Sequence, residues 1–162
     1  MLQFRTAAAP LLLFLATPAF AQDADPLRFF EGRTENDGTA KLIFHKSYKT
    51  HTIGRGRIEH DGSLTLVQRV EDEGKPARMR RWHVRSTGPG RYTGIVSDAD
   101  GPVTIEKVGS RYRFSFRMKG DFNVEQWLIP MPGGMAARCT VKVRKFGLTV
   151  GSSECMIRKL AG

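Results

Sequence analysis

An all-β fold is what this sequence predicts: an antiparallel meander of about eight to ten strands curling into a barrel or half-barrel, with a short N-terminal helix or turn. Three observations predict it. Apolar and polar residues alternate with period two in several runs, turn-forming pairs separate those runs, and no stretch holds a helical period for long. Such alternation marks a strand with one face in a core and the other in water. A sheet with that many strands curls or closes to remove its edges.

The chain has 162 residues, and the first 21 stand apart by composition. A basic start at Arg5, an apolar run from Ala7 to Leu15 and the small-x-small end Ala19-Phe20-Ala21 are the three parts of a secretory signal peptide. The apolar run is shorter than the ~20 residues of a spanning helix, and Pro10 and Pro18 bracket it. Cleavage after Ala21 is therefore expected rather than a transmembrane anchor, and no cysteine lies nearby to carry a lipid. Residues 22–162 then form one domain, long enough to close a hydrophobic core, in a periplasmic or secreted protein.

Along that domain, Leu27, Phe29 and Phe30 within Pro26 to Glu31 suggest a short helix or turn that packs against the sheet. The clearest strand runs from Arg111 to Lys119, with Tyr112, Phe114, Phe116 and Met118 on one face and Arg111, Arg113, Ser115, Arg117 and Lys119 on the other. Shorter alternations occupy Leu64 to Leu66, Trp82 to Val84 and Cys139 to Arg144. Asp37-Gly38, Asp61-Gly62, Gly88-Pro89-Gly90, Asp100-Gly101, Gly109-Ser110, Gly120-Asp121 and Pro132-Gly133-Gly134 supply turns, because these residues tolerate positive φ.

The two cysteines are informative through register. If the last two strands form a hairpin turning near Gly147, Cys139 and Cys155 lie equally far from the turn and face each other. Both then share the apolar face, with Val141 and Val143 on one strand and Ile157 on the other. In an oxidising compartment a structural disulfide is expected. Two free thiols or a redox pair are the alternatives, though no Cys-x-x-Cys spacing supports the second.

The net charge is +10, and because Arg5 is the one charged residue of the first 21, +9 remains after cleavage. For an exported protein this points away from nucleic acid and toward anionic lipid, lipopolysaccharide or acidic polymer, or to solubility alone. Arg111, Arg113, Arg117, Lys119, Lys142, Arg144 and Arg158 sit on outward parity and are candidates for a cationic wall. Charged outer faces also serve solvation and discourage edge pairing.

No catalytic constellation is visible. There is no Gly-x-Ser-x-Gly, and no carboxylate pair announces a hydrolase. Glu125 beside Trp127 is a single acid in an aromatic strand. His45, His51, His60 and His83 match no zinc spacing, so no metal and no cofactor is predicted. Gly54-Arg55-Gly56 lacks the third glycine and the strand-to-helix setting of a dinucleotide site. Arg78-Met79-Arg80-Arg81 next to Trp82 reads as cation stacking on a strand surface.

Several segments carry a resemblance. Asp25-Pro26-Leu27-Arg28-Phe29-Phe30-Glu31-Gly32, Arg80-Arg81-Trp82-His83-Val84, Arg91-Tyr92-Thr93-Gly94, Lys145-Phe146-Gly147, Val150-Gly151 and Arg158-Lys159 occur in order along the chain. Together they resemble the bacterial domain-of-unknown-function family 3833. The resemblance implies an envelope protein with a lipocalin-like barrel and no assigned activity. Many members carry a lipobox cysteine, which this chain lacks, and Cys139 and Cys155 are additions to the pattern. The Gly-x-Trp signature of true lipocalins is absent.

The expected function is a non-catalytic barrel that binds or shields a lipid-like molecule, with Trp82, Phe114, Phe116, Met118 and Trp127 as candidate ligand contacts. The alternatives are a filled core, or a protein that docks its basic outer face on anionic envelope lipid, lipopolysaccharide or a protein partner.

Overall fold

A computed structural model describes residues 25–161, so the expected signal peptide lies outside the described residues. A four-residue helix, α1 (Pro26–Phe29), leads into ten strands. These are β1 (Gly32–Leu42), β2 (Tyr48–Ile58), β3 (Leu64–Asp72), β4 (Arg78–Gly88), β5 (Arg91–Val96), β6 (Val103–Val108), β7 (Arg111–Met118), β8 (Phe122–Pro130), β9 (Ala136–Lys145) and β10 (Leu148–Leu160). Each strand pairs antiparallel with its sequence neighbours, and β1 pairs with β10 from Arg33↔Leu160 to Leu42↔Gly151. The meander is therefore a closed barrel, at the upper end of the predicted strand number. Closure gives every strand two partners and leaves no edge to recruit another chain.

Period-two alternation becomes inside and outside. Leu64, Leu66, Trp82, Val84, Ile105, Tyr112, Phe114, Phe116 and Leu128 point inward and are buried, while their strand neighbours face solvent. Helix α1 closes one end. Asp25 caps it by accepting from the Leu27 backbone N–H at 2.9 Å, and Pro26 occupies a first-turn position where no N–H is needed. Leu27, Phe29 and Phe30 are buried against the barrel, and Lys159 Nζ donates to the Arg28 carbonyl at 2.8 Å. Gly56 makes this plug possible: a Cβ there would lie 1.9 Å from the Phe30 carbonyl oxygen. Gly54, similarly, has room for no more than its hydrogen beside Thr34 Oγ1. The Gly-Arg-Gly triplet is thus a packing device.

The β9–β10 hairpin turns through Phe146-Gly147, with φ of 50° and 78°. Two positive φ values in a two-residue loop give the strand twist its preferred turn. A bulge at Val150 then shifts the register by one residue, and only beyond it does Cys155 face Cys139. The expected pairing is therefore reached through a tight turn plus a bulge. The two cysteines are disulfide-bonded with Cα atoms 5.0 Å apart, and Cys139 is 1 % exposed. Gly38 stands opposite Cys155 on β1, and a Cβ there would come within 2.7 Å of Cys155 Cβ.

Candidate functional site

The strands leave an interior cavity of about 300 Å³ that opens at the end opposite α1. Its space has a structural origin. On β1 and β10 the inward positions are small, as at Gly38, Ala40, Gly151 and Ser153. Facing them are large rings from β4 and β7. Trp82 meets Phe116 edge to face at 5.7 Å and Phe114 at 6.5 Å. Small residues on one wall do not reach the rings on the other, so the barrel keeps a void there. Such a void lies at the lower end of the range for small-molecule sites.

The cavity also has a polar side. Gln68 Oε1 accepts from Trp82 Nε1 at 2.8 Å, which fixes the indole plane. Gln126 and Asn36 line the same space. Asn36 Oδ1 is buried with no hydrogen-bond partner in the protein. Leaving such an acceptor unmatched costs on the order of 1–3 kcal/mol, so the site calls for a donor from water or a ligand.

Nearer the mouth, Arg78 and Arg80 share the inward parity of Trp82. Arg78 pairs with the buried carboxylate of Asp72, and Arg80 Nε donates to Asp98 Oδ2 at 2.8 Å. This corrects the expectation of a cation stack on the strand surface. Alternation puts every second residue of that strand inside, and the acids at the mouth compensate the two guanidinium groups.

Of the candidate ligand contacts, Trp82, Phe114 and Phe116 are buried in the cavity wall and Met118 lies half-buried near its mouth. Trp127 is a correction. Strand β8 sends Val124, Gln126 and Leu128 inward, so Trp127 points out, where the Arg111 guanidinium stacks on its ring at 4.8 Å. Its Nε1 donates to Glu125 Oε1 at 3.1 Å. The polar cavity-lining residues that the sequence alone did not single out as site candidates are Asn36, Gln68, Gln126, Arg78 and Arg80. Their signal was a polar residue at inward parity in a strand that is otherwise apolar on that side, as Gln68 is between Leu66 and Val70.

The seven outward basic candidates do not make one wall. Arg117, Lys119, Lys142 and Arg144 gather toward the open end of β7 to β9, where Asn123 on β8 pairs with Arg117 on one side and Arg144 on the other. Arg111 and Arg113 lie toward the closed end against Trp127, and Arg113 also pairs with Glu106 at 2.6 Å. That carboxylate, through its hydrogen bond and its charge, raises the Arg113 pKa above its ordinary value. Arg158 sits on β10, 3.5 Å from Asp37.

On the outer face of β1 and β2, Glu35, Asp37 and His51 form a three-residue cluster with metal-ligand chemistry. His51 Nδ1 lies 2.8 Å from Asp37 and Nε2 lies 3.8 Å from Glu35. With Arg158 on the other Asp37 oxygen, the cluster is a cross-strand polar network. Among the described residues no helix is long and apolar enough to cross a membrane.

Residues 17–159 match a family described as proteins of unknown function, DUF3833. The chain belongs to this family. Its barrel is similar to that of the S-type phycobiliprotein lyase CPES from Guillardia theta, with a TM-score of 0.64 at 5 % identity over 84 % of this chain and 91 % of that one. It is also similar to a DUF3598-family protein of unknown function from Nostoc punctiforme, with a TM-score of 0.55 at 6 % identity, covering 83 % of this chain and 48 % of that one. No curated protein matches in sequence. At these identities the structural likeness carries the antiparallel barrel fold alone and leaves the chemistry of the DUF3833 member to its own residues.

Proposed function

We propose that this DUF3833 protein is an exported, non-catalytic barrel that binds an amphiphilic, lipid-like molecule in its interior. One observation carries the reading: a cavity open at one end joins an aromatic wall to a polar side whose Asn36 Oδ1 has no protein partner. An acyl or other apolar segment would lie against Trp82, Phe114 and Phe116, excluding water from those rings. A polar part would reach Asn36, Gln68 or Gln126. The disulfide supports export, because such bonds persist in oxidising compartments. The lyase activity named for the Guillardia theta protein belongs to that protein. Here the interior presents amides, rings and paired arginines, which suit holding a molecule more than breaking one.

Native mass spectrometry of the protein purified from its own envelope fraction, without detergent, tests this. The expected result is an adduct of roughly a few hundred daltons that is released on unfolding. A Val141→Trp variant, which fills the cavity from β9, should lose the adduct while keeping its circular dichroism spectrum. A bare protein mass that persists after incubation with envelope lipid extract would overturn the reading. The same spectra test export, since cleavage after Ala21 gives a chain beginning at Gln22.

A further inference from the structure

We infer that the open rim of the barrel is a membrane-docking surface, with Phe44 and Phe146 as the side chains that enter an anionic lipid leaflet. The inference concerns the mouth and stands whether or not the cavity carries cargo.

Four large apolar side chains project from this rim into solvent: Ile43 is 47 % exposed, Phe44 97 %, Phe146 84 % and Leu148 70 %. They belong to two hairpin loops, β1–β2 and β9–β10, that are neighbours because β1 pairs with β10. A backbone bond from Ile43 N to the Val150 carbonyl, at 2.9 Å, ties the two loops together. Among the described residues, the other exposed large apolar side chains, Met79, Ile95, Val108 and Met135, lie on four separate parts of the barrel. Scattered residues of that kind are ordinary on a soluble surface, whereas a shared patch marks a partner.

The backbone sharpens the point. Phe44 and Phe146 have φ of 63° and 50°, in the left-handed region that bulky residues avoid. For a two-residue turn ending in Gly147, Asn-Gly is the favoured pair, and Asn would also suit a solvent-exposed position. Folding therefore does not account for a phenylalanine at either site. A role for the exposed ring does.

Charge identifies the partner. The three hairpins on this side of the mouth, residues 41–49, 117–123 and 142–150, hold eight basic residues and one acid, Asp121. The loops on the opposite side, residues 72–78 and 96–103, hold four acids and two basic residues. The aromatic tips thus sit within the cationic half of a polarised rim. Lys145 Nζ lies 4.5 Å from the Phe122 ring and 5.5 Å from that of Phe146, which keeps a cation at the base of the tip. Protruding rings ringed by lysine and arginine fit an anionic headgroup layer, where rings enter the interface and cations meet the phosphates. Leu42, Val143 and Gly151 continue from these loops into the cavity wall, so docking would set the mouth against the lipid.

The test is vesicle co-sedimentation of the delipidated protein, comparing phosphatidylglycerol–phosphatidylcholine vesicles with phosphatidylcholine alone. Binding to the anionic vesicles should exceed binding to the neutral ones and fall as salt is raised. Phe44→Asn with Phe146→Asn should reduce binding by on the order of tenfold per ring removed from lipid. The same variant should melt at or above the wild-type temperature, because Asn accepts the left-handed backbone. A second variant, Lys46→Gln with Lys145→Gln, should lower anionic binding and leave the salt-resistant part. Equal binding to both vesicle types, or undiminished binding by the double Asn variant, would overturn the inference. So would a wild-type dimer in solution that the Asn variant dissolves, since the patch would then be covered by a second copy.

Discussion

Replacing both cysteines by alanine should weaken the fold by about 3 kcal/mol, and the structure fixes the sign of every contribution. The Cys139–Cys155 bond has a sequence separation of 16, and closing a loop of that length in the unfolded chain corresponds to roughly 3 kcal/mol in the chain-entropy model. The native state changes little, because the β9–β10 ladder on either side holds the register without the bridge. Loss of two partly or fully buried sulfurs adds to the destabilisation, since Cys139 is 1 % exposed. For a domain of this size the melting temperature should drop by roughly 10 °C. Urea unfolding followed by tryptophan fluorescence measures it, and the slope with urea should rise because the uncrosslinked unfolded chain exposes more surface. Wild-type protein unfolded and refolded in reductant should move most of the way toward the variant's curve, because it loses the cross-link but keeps both sulfurs. A midpoint within about 0.5 kcal/mol of wild type, with an unchanged slope, would refute the reasoning: the covalent closure would then contribute nothing to stability.

Two further outcomes follow from the plugged end and its neighbouring turn. Gly56→Ala should destabilise by about 2 kcal/mol or more in the same assay, because its Cβ would meet the Phe30 carbonyl at 1.9 Å and backbone cannot swing aside as a side chain can. Asp61 accepts from the Ser63 hydroxyl and then the Ser63 backbone N–H, and these bonds hold its pKa below the usual carboxylate range. A carboxylate depressed in the folded state stabilises above its unfolded pKa of ~3.9 and loses that contribution as pH falls through the folded value. The stability difference between wild type and Asp61→Asn, followed by thermal melts, should therefore be constant near neutrality and change only below about pH 4.

Much of the fold was legible because strands record their environment locally. Leu64, Leu66, Trp82, Val84, Phe114 and Phe116 show their inward direction through period-two alternation alone, and the glycine turns mark where each run stops. The cysteine pairing was legible for the same reason, since residues on the apolar face equidistant from a turn are brought opposite each other. Even there, the route differed: a two-residue turn would offset the pair by one position, and the Val150 bulge restores it. Trp127 departs from the expected ligand contacts for the same local reason: period two puts Val124 and Leu128 inside and Trp127 outside.

The sequence by itself determined the strand character, the side of each strand that meets the core, the tight C-terminal hairpin and the family, because each depends on neighbours a few residues apart. Only the tertiary structure decided that β1 meets β10, that Gly38, Ala40, Gly151 and Ser153 together face the rings of β4 and β7, and that Ile43 and Phe44 stand beside Phe146 and Leu148. Those residues lie far apart along the chain, and closure of the barrel is what brings them together. A cavity is the volume that facing side chains leave unfilled, and a docking rim is the sum of loops from different hairpins. Neither quantity belongs to any single stretch of sequence.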